Sequence, residues 1–176
     1  SQLYDGLVTF DAEGNETLVE AESITPNDDA SEYTIVLKPN LTFSNGEKIT
    51  ADTYAKSWSF AANAANGQVG ASIFEDIQGY DDLQDAEGSK AAQLSGLTVV
   101  DDTTLKVKLK ASNSAFLYKI GDIAFLPMPS EVIKNPKEYG QKPIGNGPYK
   151  LKAYKSGEEI ILEEVDYEAV PKIVKR

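Results

Sequence analysis

The sequence contains no cysteine and no histidine. Without cysteine there are no disulfides, no thiolate metal ligands and no thiol nucleophiles. Without histidine there are no imidazole general bases, no Ser-His-Asp triads and no His-ligated zinc. Carboxylate pairs and oxygen-ligand metals are the chemistries left open. Absence of cysteine fits oxidising and reducing compartments alike, so it assigns neither. Positive charge is also scarce, with 17 Lys and Arg against 28 Asp and Glu, a net charge of −11. Phosphate backbones and anionic lipid surfaces both require a basic footprint, so nucleic-acid binding and docking through a basic patch are disfavoured. No run approaches the ~18 apolar residues of a membrane span. The opening Ser1-Gln2-Leu3-Tyr4 is not a basic-then-apolar signal peptide. The chain is therefore expected to be cytosolic, already processed, or part of something longer.

What is present fits one globular domain. The chain has 176 residues, 41% hydrophobic and 26% charged, which is folded rather than disordered composition. No period of about 20–50 residues repeats, against solenoids and propellers. Strands are followed by helices and then by strands again, which predicts an α+β fold with a mixed or antiparallel sheet, hairpins and packed helices.

Residues 7–10 read as a strand, the Asp11-Ala12-Glu13-Gly14-Asn15 cluster as a turn, and 17–20 as the strand returning. A turn over 25–29 leads to Tyr33-Thr34-Ile35-Val36-Leu37, whose alternation puts Tyr33, Ile35 and Leu37 on one face. Ser44-Asn45-Gly46-Glu47 is a strong turn. Thr50 then caps a helix in which Tyr54, Trp58, Ala61, Ala62 and Ala65 share a face, ending at Asn66-Gly67. Trp58, the only tryptophan, is expected to anchor that helix in the core. Glycines punctuate 67–96, with short helices expected over 72–76 and 89–94. Residues 97–110 form a hairpin, with Lys106, Lys108 and Lys110 on the wet face and Asp101-Asp102-Thr103 at the turn. Ser114 is expected to cap a short helix to Lys119, and Ser130 another to Lys134, which Pro136 limits. A last hairpin is expected over 149–165, with Leu151 opposite Leu162 and Lys150 opposite Glu163.

Few residues offer chemistry. Asp28-Asp29, Asp81-Asp82 with Asp85 and Glu87, and Asp101-Asp102 lack calcium-loop spacing and read as solvated turns. No carboxylate pair stands in a glycosidase context. Gly145-Asn146-Gly147-Pro148 lacks the Gly-Lys-Ser/Thr ending of a phosphate loop and reads as a sharp turn. No catalytic residue, metal ligand or cofactor is assigned.

The run from Tyr33 through Leu37, Phe43, Gly46, Thr50 and Asp52 to Ser57-Trp58 resembles the bacterial extracellular solute-binding proteins of oligopeptide, dipeptide and nickel ABC importers. The family pattern is a Tyr-Thr-Phe-x-Leu-Arg strand, a Phe-x-x-Gly turn, and Thr-Ala-x-Asp opening a helix with Ser-Trp. Lys38 replaces the usual Arg, and Asp52-Thr53 alters the acid order. Leu3-Tyr4-Asp5-Gly6-Leu7, Pro143 to Leu151, and Asp166-Tyr167 with Pro171-Lys172-Ile173 resemble further family stretches in the same order. Glu168 stands where the family often has Trp.

The resemblance implies part of a two-lobed, periplasmic-binding-protein type II-like fold. Residues 3–129 would be the smaller second lobe and 130–176 an adjoining piece of the first, with the native chain continuing beyond both ends. It implies a fragment of an importer's substrate-binding subunit, with peptide or a similar small solute as ligand, ABC permease subunits as partners, and a monomeric state. It implies no enzyme activity and no nucleic-acid partner. The location would be extracellular, at the cell surface on an upstream lipid anchor, or periplasmic. Two places would face the ligand cleft. One is the loop after the Trp58 helix, with Gly70, where some relatives offer a Tyr, and Ser72. The other is the segment with Asp122 and Phe125. A surface adhesion or signalling lipoprotein reusing the fold is the alternative, and a carboxylate-pair hydrolase is a third reading.

Overall fold

The computed structural model describes residues 5–139. They fall into two compact units, one of Gly6–Pro39 with Thr50–Phe125, the other holding Asp5, Asn40–Ile49 and residues 126–139. The hairpin expected over 149–165, the Gly145 to Pro148 turn and the stretches at Leu3-Tyr4 and 166–173 lie outside the described residues.

The larger unit is built on a four-stranded antiparallel sheet of order β3-β4-β6-β5. The strands are β3 (Ala21–Pro26), β4 (Glu32–Leu37), β5 (Leu97–Asp101) and β6 (Thr104–Lys108). A separate hairpin pairs β1 (Val8–Phe10) with β2 (Glu16–Leu18). The alternation of β4 does what it predicts: Tyr33, Ile35 and Leu37 are buried, as are Leu105, Val107 and Leu109, while Lys106, Lys108 and Lys110 are exposed. Ile35 stands opposite Leu105 and Tyr33 opposite Val107, so the two strands build one apolar face. The β5–β6 register places Leu97 opposite Val107 and Val99 opposite Leu105, on one face. Val99 is nonetheless exposed, because β5 is the outer strand and a bulge follows it.

Strand β3 was not predicted. Its Ala-Glu-Ser-Ile-Thr-Pro sequence carries little strand propensity, and Pro26 is tolerated because β3 lies at the sheet edge.

Helix α1 (Ala51–Ala62) packs on β5 and β6. Thr50 caps it as predicted, in a reciprocal box with Thr53: the Thr50 Oγ1 accepts from Thr53 N, and Thr50 N donates to Thr53 Oγ1 at 2.9 Å. Tyr54, Trp58, Ala61 and Ala62 are buried. The helix stops earlier than Asn66-Gly67. Asn63 leaves helical geometry and its Oδ1 takes the Ala65 N–H at 3.0 Å, starting a separate 3-10 turn, Ala64–Asn66, and leaving Ala65 exposed. The Gln84 side chain donates to the Ala62 carbonyl at 2.8 Å, satisfying one of the last acceptors of α1.

The segment that follows is less helical than expected. The helix over 72–76 is a 3-10 turn, Ala71–Phe74, and 89–94 is irregular backbone with Leu94 buried. An unpredicted 3-10 turn covers Tyr80–Leu83. Glycine rather than helical propensity decides this path. A Cβ on Gly96 would lie 2.5 Å from the Lys108 carbonyl oxygen, and one on Gly79, at φ +92°, would lie 2.4 Å from Ser95 N. Helix α2 (Phe116–Ile120) forms, but Ser114 does not cap it; Asn113 Oδ1 takes the Ala115 N–H at 3.0 Å.

In the smaller unit, a bridge between Thr42 and Lys48 closes the turn predicted over 44–47. Helix α3 (Ser130–Lys134) is followed by α4 (Pro136–Tyr139), where proline opens a helix rather than only ending one. Ser130 is not a cap acceptor. It is the first helical residue, and its N–H and hydroxyl both donate to the Glu47 carboxylate at 3.1–3.2 Å.

Candidate functional site

The two stretches singled out for ligand contact, around Gly70 and around Asp122, are about fifty residues apart in sequence. The larger unit brings them together, and the core aromatics are the reason. Trp58 on α1 is fully buried, with ring centroids 6.3 Å from Phe74 and 4.9 Å from Phe125. Phe74 and Phe125 lie 4.5 Å apart. The Trp58 indole N–H donates to the Phe125 carbonyl at 2.8 Å, so both the body and the polar edge of the ring are used. Phe74 ends one loop and Phe125 the other, and the loops ahead of them meet. A Cβ on Gly70 would sit 3.7 Å from the Ala124 Cβ.

Local chemistry sets each loop. Gly70 adopts φ +83°, a left-handed conformation natural to glycine, and leads into the Ala71–Phe74 turn. Asn66 ties the start of the loop down, its Nδ2 donating to the Phe60 carbonyl at 2.9 Å. In the second loop Asp122 opens the 3-10 turn Ile123–Phe125; its Oδ1 accepts from Ala124 N at 2.9 Å, and its carbonyl from Phe125 N at 3.0 Å. Gly121 leaves room for Phe10, whose ring carbons would lie 3.1 Å from a Cβ there.

Of the four residues predicted from sequence, Gly70, Ser72 and Asp122 are exposed on these two loops. Phe125 is 1% exposed, and its ring belongs to the aromatic core that joins them. Two exposed side chains on the same loops were missed. Val69 is 76% exposed and Ile123 is 55% exposed, and each adjoins a member of the Gly70–Ala124 contact. Val69 is visible in sequence as an apolar residue between Gln68 and Gly70 with no periodic partner. Ile123 is hidden, because an apolar residue beside Phe125 reads as core.

These loops present two apolar side chains, a hydroxyl and one carboxylate. Such a surface can hold a ligand by apolar contact and by charge attraction. The carboxyls held below the usual range lie elsewhere, in turns: Asp11 through Asn15, Asp29 through Ser31 and Asp101 through Thr103, each by hydrogen bonds to its own turn. Among the described residues no group of three or more Asp or Glu side chains is arranged to hold a metal ion.

Comparison with known proteins follows the same direction. A family model described as bacterial extracellular solute-binding proteins, family 5 middle, matches residues 19–174. A dipeptide-binding protein of Lactococcus lactis subsp. cremoris is 31% identical over 86% of this chain and 28% of its own length. The periplasmic oligopeptide-binding protein OppA of Escherichia coli is 30% identical over 92% of this chain and 30% of its own length. Among solved structures, Haemophilus influenzae OppA in complex with RPPGFSPFR superposes with a TM-score of 0.72 at 27% identity, over 88% of this chain and 31% of that one. The chain thus spans less than a third of the length of the relatives it matches. The likeness bears out the α+β reading and makes this chain part of a periplasmic-binding-protein type II fold.

Proposed function

The chain belongs to the bacterial extracellular solute-binding proteins of family 5, and from that membership we propose that it is a piece of the substrate-binding subunit of a peptide ABC importer. In this reading the whole protein captures a peptide outside the cytoplasmic membrane and delivers it to permease subunits. It does no chemistry on its ligand. It is periplasmic, or held at the cell surface by a lipid. The observation that carries the reading is the family match over 19–174, joined to relatives named for dipeptide and oligopeptide binding.

Residues 3–129 are proposed as the second lobe and 130–176 as an adjoining piece of the first. The compactness of Gly6–Pro39 with Thr50–Phe125 supports a small lobe over most of that range, Asn40–Ile49 grouping instead with the other unit. Within it, Gly70, Ser72 and Asp122 are proposed to face the ligand, with Val69 and Ile123 beside them and Phe125 holding their loops in place. A site with exposed loops over a rigid aromatic base fits a binding subunit, because preorganised contacts lose less entropy on association. The chain spans less than a third of its relatives' length, so much of the peptide-holding machinery would lie outside it, and this chain alone is expected to bind weakly.

Native mass spectrometry with a mixed pool of short peptides tests this, applied to this chain and to the full-length protein that contains it. Peptide adducts on the full-length protein only are the expected result. Adducts on neither would overturn peptide capture, and micromolar binding by this chain alone would overturn its supporting role.

A further inference from the structure

We propose that Asn45, in the smaller unit, is a site of spontaneous deamidation, activated by the turn that holds it and favoured over the Asn–Gly pair of the larger unit, Asn66-Gly67. The reaction is intramolecular. The Gly46 backbone nitrogen, losing its proton to solvent base, attacks the Asn45 Cγ and forms a C–N bond. The Cγ–Nδ2 bond breaks and the amide nitrogen leaves as ammonia. Water then opens the resulting succinimide at either carbonyl, giving an aspartyl or an isoaspartyl residue at position 45.

The two Asn–Gly pairs among the described residues both satisfy the sequence requirement, a glycine that leaves its nitrogen sterically open. Their geometry differs at the side chain. Asn45 is exposed and its Oδ1 accepts the Glu47 N–H at 2.9 Å. That bond folds the side chain back over the Gly46 peptide, and it aims a fixed N–H at the oxygen that becomes negative in the tetrahedral intermediate. Gly46 lies at φ +91°, and a Cβ there would meet nothing within 4 Å, so that side of the glycine is open to solvent. No bond among the described residues holds the Asn45 Nδ2. Asn66 is the reverse case. It is half-buried, and its Nδ2, the leaving group, is held on the Phe60 carbonyl at 2.9 Å. The glycine nitrogen is held in both, Gly46 N donating to Phe43 O at 2.9 Å and Gly67 N to Ala64 O at 3.2 Å, so this obstacle is no smaller at Asn45 and the preference rests on the side-chain differences.

The product matters locally. It places a second carboxylate two residues from Glu47, whose own carboxylate takes three bonds from Ser130. The isoaspartyl form also adds a backbone carbon between Phe43 and Glu47.

The test is a time course in mildly alkaline buffer, with peptide mass spectrometry locating each amide-to-acid conversion, run on the native chain and on the chain in denaturant. The native chain should convert Asn45 about fivefold faster than Asn66, the worth of roughly one hydrogen bond in the transition state. Denaturant should bring the two rates together. Equal rates in the native chain, faster conversion at Asn66, no conversion at Asn45, or a preference that survives denaturant would each overturn the proposal.

Discussion

The sheet with α1 and the segment over 63–96 share one unit, yet they are specified by different means. In the sheet, side-chain periodicity does the work. Tyr33, Ile35 and Leu37 alternate inward, Leu105 and Val107 answer them across the ladder, and Thr50 starts α1 with its own side chain. In 63–96 periodicity is absent and long-range polar contacts replace it. Ser59 on α1 accepts the buried Leu94 N–H at 2.9 Å, Gly96 N donates to the Gln78 carbonyl at 2.9 Å, and Gln78 N donates to the Lys108 carbonyl at 3.0 Å. Strands β4 and β6 and the start of α1 follow from pattern alone. The second region exists because the first gives it acceptors and donors at fixed places, and that asymmetry predicts how each one fails.

The residue common to both regions should cost the most. Trp58→Ala removes a fully buried ring packed against Tyr54, Phe74 and Phe125, and leaves the Phe125 carbonyl without its indole donor. A loss of about 3–5 kcal/mol is expected from the cavity alone. Urea unfolding should show it, and hydrogen exchange should rise in the sheet and in 63–96 together. Persistence of native protection in the sheet would show that Trp58 serves only the loops.

Gly96→Ala should separate the regions. The added methyl would meet the Lys108 and Gln78 carbonyl oxygens at 2.5 and 3.0 Å, both of them backbone atoms that cannot rotate aside. Strain of this kind costs about 1–3 kcal/mol. It falls on the joint where 63–96 docks against β6, so exchange should increase first over 78–96 while β3 and β4 keep their protection. Uniform acceleration would mean the two regions open as one.

Ser59→Ala is a milder cut at the same junction. It deletes the acceptor of a buried N–H and leaves Leu94 N unsatisfied, at about 1–2 kcal/mol. Its effect should add to that of a distant sheet substitution and not to Gly96→Ala, a pattern a double-mutant cycle reads directly.

These differences also explain what was legible. Strands β4 and β6, the Thr50 cap and the burial of Trp58 follow from spacing and side-chain type. The end of α1 does not, because Ala65 continues the apolar period while Asn63 captures the Ala65 N–H and diverts the chain. Ser114 and Ser130 have the chemistry of caps, yet neither helix has a side-chain cap: Asn113 takes the Ala115 N–H ahead of α2, and Ser130 donates to Glu47, a partner only the folded chain supplies. The candidate site shows the same division. Gly70 and Asp122 were identifiable singly, but their meeting through Phe74 and Phe125 is a tertiary fact. Ile123 was unreadable because exposure beside a core phenylalanine has no local mark.

The smallest effect belongs to the turn acids, and it sharpens the contrast by confining itself to strand-to-strand turns. Asp11 closes the β1–β2 turn, Asp29 the β3–β4 turn and Asp101 the β5–β6 turn, and each accepts a backbone N–H two residues ahead. Those bonds favour the charged form, so all three carboxyls are held below the usual carboxylate value. The sign follows from the native state binding protons less readily than the unfolded chain. The contribution is complete above the unfolded-state value of about 3.9. It is lost as pH falls below that and through the depressed native values. Urea midpoints should therefore hold steady from neutral pH down to the top of this window and then decline within it. In Asp101→Asn the amide oxygen can keep the Thr103 bond without titrating, so the decline should be shallower than in the parent chain. An unchanged slope would show that the turn carboxylates bind protons alike in both states, and that the loops and sheet share one source of acid sensitivity.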